Sequence, residues 1–500
     1  MIAVGFDGNT VDAAPLDELR ALAPGAIVLF GRNVGAPAAL HALIAELRAL
    51  ETPAPLIAVD QEGGRVARIG DPVAQLPAAM AVGAARDVDA CERLGTLLGR
   101  DLARIGISVD FAPVADLALD PANTVIGTRA YGSDPLLVAR LAGAFARGLE
   151  TGGVAATLKH FPGHGSTAVD SHVALPHVAL DEATLRARDL LPFAAAISAD
   201  AAQIVMVAHV VIEALDPQRP ASLSPRILTG VLRDELGFSG VTCTDCLQMD
   251  AIARTPGTVA GAVAALAAGA DLLLVSHSPA LAREAAGAIA AAVDAGTLPR
   301  ERLLEAARRV RALRERYATP QPYGGALDAD LPLAIAQRAV TVVRGALRLH
   351  DGRAVTVLSF EGGGAGGADD VRSERPSLSA ALRARRWRSE IMRVALDPDD
   401  DDVELLLSHL PALGERNFVV VTRRAHLHPK QRAAVERILD VIPAAAVISA
   451  AEPYDALLWP RAQTVACIYG DDALALAACA DVLSGRATAH GSLPVVPDAS

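Results

Sequence analysis

The chain has 500 residues, 52% hydrophobic and 21% charged. That length exceeds what one core of about 250–300 residues supports, and the composition excludes a largely disordered protein. A formal net charge of −12 argues against nucleic acid as a partner, and five cysteines in such a length make no disulfide framework.

The first segment, MIAVGFDGNTVDAAPLDELR, lacks a basic stretch followed by an apolar one, so no secretory signal is expected. The most membrane-like stretch, TVAGAVAALAAGADLLLVS (258–276), is mostly small residues with Asp271 inside, and predicts a helix followed by a buried strand. A cytoplasmic protein with no membrane insertion is the expectation.

In chain order, β-branched runs at 2–6, 26–30, 56–60, 107–112, 154–159, 203–208, 240–244 and 271–275 alternate with Ala/Leu/Arg-rich helical stretches such as 39–50 and 92–106. Eight strands each followed by a helix predict an α/β fold with an N-terminal (β/α)8 barrel, placed at 1–316. A Pro/Gly-containing stretch at 317–332 reads as a connection, giving a linker at 317–335. Runs at 340–349, 355–360, 391–396, 418–422, 445–450 and 464–469 then predict a C-terminal α/β sandwich domain at 336–500.

Several eye-catching segments carry no expected chemistry. EGGGAGGADD (361–370) satisfies a dinucleotide pattern but runs into an acidic, Pro-broken sequence, and so reads as a loop. DPDDDDVE (397–404) lacks the glycine and ligand spacing of a calcium loop and reads as a solvated acidic connection. Cys243 and Cys246 flank Asp245 without a second pair to complete a zinc site, so they read as small barrel-filling side chains.

The informative segment is KHFPGHGSTAVDSHVALPH (159–177), which holds four of the twelve histidines. His160 and His164 have metal-ligand spacing only on a helix, and Pro162, Gly163 and Gly165 oppose one. Asp170 and His172 offer a carboxylate two residues from an imidazole, a pairing that can orient the ring and stabilise its cation. His164 and His177 fit a role as histidines simply satisfied in the loop. Along the seventh strand Val241, Cys243 and Asp245 share a face; if that face is inward, Asp245 reaches the C-terminal mouth, the alternative being a helix N-cap. Asp60, Arg68, Arg129, Lys159 and His160 also fall at strand ends or the loops beyond them, with Arg65 near by. Such a set suits a small polyhydroxylated ligand. Lys159 stands out because only it and Lys430 are lysines among 46 basic residues.

KHFPGHGSTAVDSH resembles the signature loop of the β-N-acetylglucosaminidases of glycoside hydrolase family 3. LFGRN (29–33), VDQEGGRV (59–66), DFAPVAD (110–116), VIGTRAYG (125–132), MVAHV (206–210), PASLS (220–224) and LRDELGFSGVTCTD (232–245) match that family in order. EPYDALL (452–458) and GSLPV (491–495) resemble the second domain of its two-domain members, more loosely. The resemblance implies Asp245 as nucleophile, His172 as general acid/base with Asp170 as its partner, and Asp60, Arg68, Arg129, Lys159 and His160 as sugar-binding residues. It implies a retaining hydrolase of terminal β-linked N-acetylglucosamine, acting on muropeptide fragments in peptidoglycan recycling, with no cofactor and no metal. Ser166 and Cys246 depart from the family's usual Asp at both places. A phosphorylase or a β-glucosidase are the enzymatic alternatives, and a non-catalytic sugar-binding protein is the alternative of another class. Oligomeric state is left open.

Overall fold

The computed structural model describes residues 1–10, 13–167, 175–362 and 376–496, and the side chains of all of these but 13–15. Eight parallel strands run in the order of the predicted elements: β1 (Ile2–Val4), β2 (Ala26–Leu29), β3 (Leu56–Val59), β4 (Val109–Asp110), β5 (Ala155–Phe161), β6 (Ile204–Val207), β7 (Val241–Thr244) and β8 (Leu273–Val275). The sheet order is β7-β6-β5-β4-β3-β2-β1-β8. A bridge between Cys243 and Leu272 joins its two edges, so the sheet closes into a barrel.

Apart from polar residues such as Asp110 of β4 and Thr157, Lys159 and His160 of β5, the strands are apolar on both faces, as expected of parallel strands covered by helices. One set of side chains fills the interior: Ala3, Ala26, Val28, Leu56, Ala58, Phe111, Ala155, Met206, Val241 and Cys243 form one buried cluster. The alternate set, including Val4, Ile27, Leu29, Ile57 and Val59, joins the cluster beneath the outer helices. Tyr317, Val310 and Leu313 from the helix Arg300–Tyr317 belong to the interior cluster and plug one end. Function is therefore confined to the opposite end, where the β→α loops lie.

After a stretch without helix or strand between Tyr317 and Leu331, a second sheet follows. Its strands are β9 (Thr341–Arg344), β10 (Val355–Glu361), β11 (Ser389–Ala395), β12 (Asn417–Thr422), β13 (Ala446–Ser449) and β14 (Thr464–Cys467). They lie in the order β9-β14-β13-β12-β10-β11, with only β9 antiparallel to its neighbour. Separate apolar clusters cover the two faces, which makes a three-layer sandwich. One of these clusters also takes in Met80, Ala84, Ala118, Ile126 and Ala130 of the barrel, so the two units share a core.

The acidic run at 397–404 departs from the expected connection. Asp400, Asp401 and Asp402 form the first turn of the helix Asp400–His409. Carboxylates there oppose the positive end of the helix dipole, so a charge run that reads as solvated loop also suits a helix start. The segment at 258–276 is a helix (Thr258–Ala268) followed by β8. Among the described residues no helix is long and apolar enough to cross a membrane. Most of the glycine-rich loop, 363–375, lies outside the described residues.

Candidate active site

A cavity of about 750 Å³ opens at the loop end of the barrel, and Asp60, Arg68, Arg129, Lys159, His160 and Asp245 all line it. Six residues expected from strand ends therefore meet in one place. Asp170 and His172 lie outside the described residues.

Asp245 follows β7 directly. Val241 and Cys243 are in the barrel interior, and two residues on, the same face reaches the mouth as a carboxylate. Its backbone N–H donates to Val207 O at 3.0 Å, and its Oδ1 accepts from Cys246 N at 2.7 Å. His209 steadies the next residue: Nε2 donates to Cys246 O at 3.0 Å, and Nδ1 meets Ser222 Oγ at 2.7 Å. The MVAHV and PASLS segments thus act together behind Asp245. Cys246 is buried and its Sγ accepts from Ser276 Oγ at 3.0 Å; burial, the larger influence, raises its thiol pKa. Among the described residues no His/Cys/Asp/Glu group could hold a metal ion.

The floor is a charged lattice centred on Glu62, which the sequence reading did not single out. Glu62 sits in the short strand Gln61–Gly63, part of a two-stranded hairpin with Val66–Ala67. Its carboxylate accepts Arg129 Nε at 2.8 Å and Nη2 at 2.7 Å, a fork-to-fork pair. Lys159 Nζ reaches Glu62 Oε1 at 2.5 Å and Asp60 Oδ1 at 2.7 Å. Burial alone would raise the Glu62 pKa, but Arg129 and Lys159 hold it well below the usual carboxylate range. Burial would likewise weaken both cations, and Glu62 outweighs it at Arg129, as Asp60 and Glu62 do at Lys159. All three groups are ionised. Lys159 is only 1% exposed, so its ammonium meets a ligand solely through the cavity.

His160 follows Lys159 near the end of β5. Its Nδ1 lies 2.6 Å from Asp116 Oδ2, which also accepts His160 N at 3.1 Å, while Asp116 Oδ1 accepts His164 N at 2.7 Å. Burial raises the Asp116 pKa, but His160, His164 and these bonds more than offset it, so the carboxylate is charged. That carboxylate accepts a hydrogen bond from His160 Nδ1, and the ring's Nε2 lies 3.4 Å from Arg129 Nη2. His164 lines the cavity wall rather than merely filling the loop. Its Nδ1 lies 2.9 Å from Thr167 Oγ1, whose hydroxyl donates to His164 O, and burial lowers its pKa. Gly163, at φ +129°, makes the turn between the two histidines in a conformation that side chains disfavour. His177 stands apart, exposed beside Glu213. Arg65 turns away from the cavity and donates to the carbonyls of Thr124, Val125 and Ile126.

Residues 9–313 match the family model described as "Glycosyl hydrolase family 3 N terminal domain". The chain belongs to glycoside hydrolase family 3. It is similar over 100% of its length to a family 3 β-N-acetylglucosaminidase of known structure from Paenibacillus sp. str. FPU-7, with 34% identity, a TM-score of 0.92 and 98% of that chain covered. A β-hexosaminidase of Stenotrophomonas maltophilia (strain K279a) is 41% identical over 297 residues, 58% of this chain and 87% of that protein. One of Xylella fastidiosa (strain 9a5c) is 42% identical over 298 residues, again 58% of this chain and 87% of its own length. The protein is an enzyme, a glycoside hydrolase with a barrel and a second α/β sandwich.

Proposed function

We propose that this family 3 enzyme is a retaining exo-β-N-acetylglucosaminidase, with Asp245 as nucleophile and His172, assisted by Asp170, as general acid/base. The observation that carries the reading is Asp245 at the end of the inward row of β7, entering the same cavity as Asp60, Arg68, Arg129, Lys159 and His160. The names of the similar proteins, β-hexosaminidase and β-N-acetylglucosaminidase, support the choice of sugar.

In the first step an Asp245 oxygen bonds to the anomeric carbon as the bond to the aglycone oxygen breaks, and His172 gives that oxygen its proton. In the second, water attacks the anomeric carbon, gives its proton to His172, and the ester to Asp245 breaks. An imidazole has a reference pKa of about 6.5, suited to moving protons near neutrality, and it lacks the like-charge conflict of two carboxylates. The floor groups divide the sugar's hydroxyls by polarity: Asp60 accepts, while Lys159 and the arginines donate. Muropeptide fragments from peptidoglycan recycling are the substrate class we assign.

The test is hydrolysis of an aryl β-N-acetylglucosaminide against the matching β-glucoside, with and without phosphate. A strong preference for the N-acetyl sugar and release of free sugar in both buffers is expected. Preference for glucoside, or a sugar phosphate as product, overturns the reading.

A further inference from the structure

The loop that carries Arg129 is gripped from outside the barrel. It leaves β4 and runs to the helix Pro135–Gly152, and three second-domain segments touch it along its length. Near its start, His426 Nε2 lies 3.0 Å from Pro121 O, while His426 Nδ1 lies 2.9 Å from Asp455 Oδ1. In its middle, Gly127 packs on the Glu452 carboxylate: a Cβ there would lie 2.1 Å from Glu452 Oε1, and Gly127 has φ +43°. Near its end, Ser133 N donates to Pro494 O at 3.0 Å.

Glu452 is buried at 3% exposure and takes Arg424 Nε at 3.0 Å. Burial would raise its pKa, but Arg424 and then Arg65 hold it at about 2. Arg65 is the side chain that donates to Thr124, Val125 and Ile126, and Arg129 Nη1 donates to the same Val125 O at 3.1 Å. Glu452 is therefore linked to the Arg129 guanidinium on the cavity floor by its packing on Gly127 and by its electrostatic pull on Arg65, which holds the same loop. Asn123 of the same loop donates to His164 O at 3.0 Å, which ties the histidine loop to the same grip.

We infer that the second domain acts in sugar binding by holding this loop, and that Glu452 is a positioning residue for Arg129. The inference rests on Arg129 touching the sugar, as proposed above. Glu452 meets no substrate; its loss frees the loop to move Arg129 out of register with the hydroxyls it serves.

The test uses the full chain with an aryl β-N-acetylglucosaminide and compares Glu452→Gln, His426→Gln, Arg129→Lys and the double variant Glu452→Gln/Arg129→Lys. Glu452→Gln should raise KM about fivefold with kcat within about twofold, because uniform binding is lost and chemistry is not. Partial unfolding would instead lower apparent kcat and leave KM alone. In the double variant Glu452→Gln should add less than about twofold to the Arg129→Lys effect, since both act through one guanidinium. His426→Gln, which weakens a separate point of the grip, should raise KM in the same direction. If Arg129→Lys raises KM while Glu452→Gln and His426→Gln leave it unchanged, or if the double variant multiplies the single effects, the positioning role is overturned and the sugar site stands. If Arg129→Lys leaves KM unchanged, the sugar-site reading itself falls, and this inference with it.

Discussion

Glu62→Gln should damage both stability and activity, although Glu62 is no part of the bond-breaking chemistry. Its carboxylate, 4% exposed, accepts two bonds from Arg129 and one from Lys159. An amide of the same shape keeps one acceptor and turns an N–H₂ toward one of the cations. Charge-assisted bonds contribute about 1.5–3 kcal/mol each, and two of the three are lost or weakened, which gives a loss of roughly 3–6 kcal/mol, overlapping the ~3–5 kcal/mol range for breaking a buried ion pair. Urea unfolding at neutral pH should show this as a lower midpoint with unchanged slope. Because the Glu62 pKa is depressed in the folded state, its contribution is fully present above the unfolded value near 4.5 and is lost as pH falls toward the folded one. Wild-type stability should therefore fall more steeply than the variant's as pH drops below about 5. Arg129 loses its fork, and kcat/KM should fall on the order of a hundredfold. Pairing the change with Lys159→Met removes one charge of each sign and should recover part of the stability lost. A Glu62→Gln protein with an unchanged urea midpoint and kcat/KM within about twofold of wild type would refute the claim that this carboxylate organises the floor.

Lys159→Arg should cost at least about tenfold in kcat/KM, because a planar fork with five donors replaces a compact ammonium seated between Asp60 and Glu62 beside Arg129. Lys430→Arg, on an exposed ammonium 2.9 Å from Asp399, should be silent, and matching kinetics for the two variants would remove Lys159 from the sugar site. His172→Ala should slow substrates with poor leaving groups far more than activated aryl glycosides, which leave without a proton; equal losses would make His172 structural.

The barrel was legible because strands buried on both faces leave unbroken apolar runs, and all eight runs correspond to strands. Asp245 was legible for a related reason: period-two alternation carries the inward face of Val241 and Cys243 to the mouth. Glu62 was not. Asp60 marks the strand end, and nothing in VDQEGGRV shows that a hairpin turns Glu62 back toward Arg129, whose loop follows the next strand. Asp116 escaped for the same reason, since its histidine partners come from β5 and the loop after it. Glu452 entered only within a motif resembling the second domain, because its burial depends on Gly127 and Arg65 in the barrel. The residues proposed to meet the sugar stand out by strand-end position, whereas residues that hold those side chains in place are defined by contacts between distant segments.

The claim on which the rest depends is that Asp245 forms the covalent bond to the sugar. A fluorinated N-acetylglucosaminyl donor that slows hydrolysis of the intermediate, followed by peptide mapping by mass spectrometry, reads this directly. One glycosyl unit on the peptide holding Asp245, absent from Asp245→Asn, is the predicted result. A label on another carboxylate, such as Asp60 or Asp250, would contradict it.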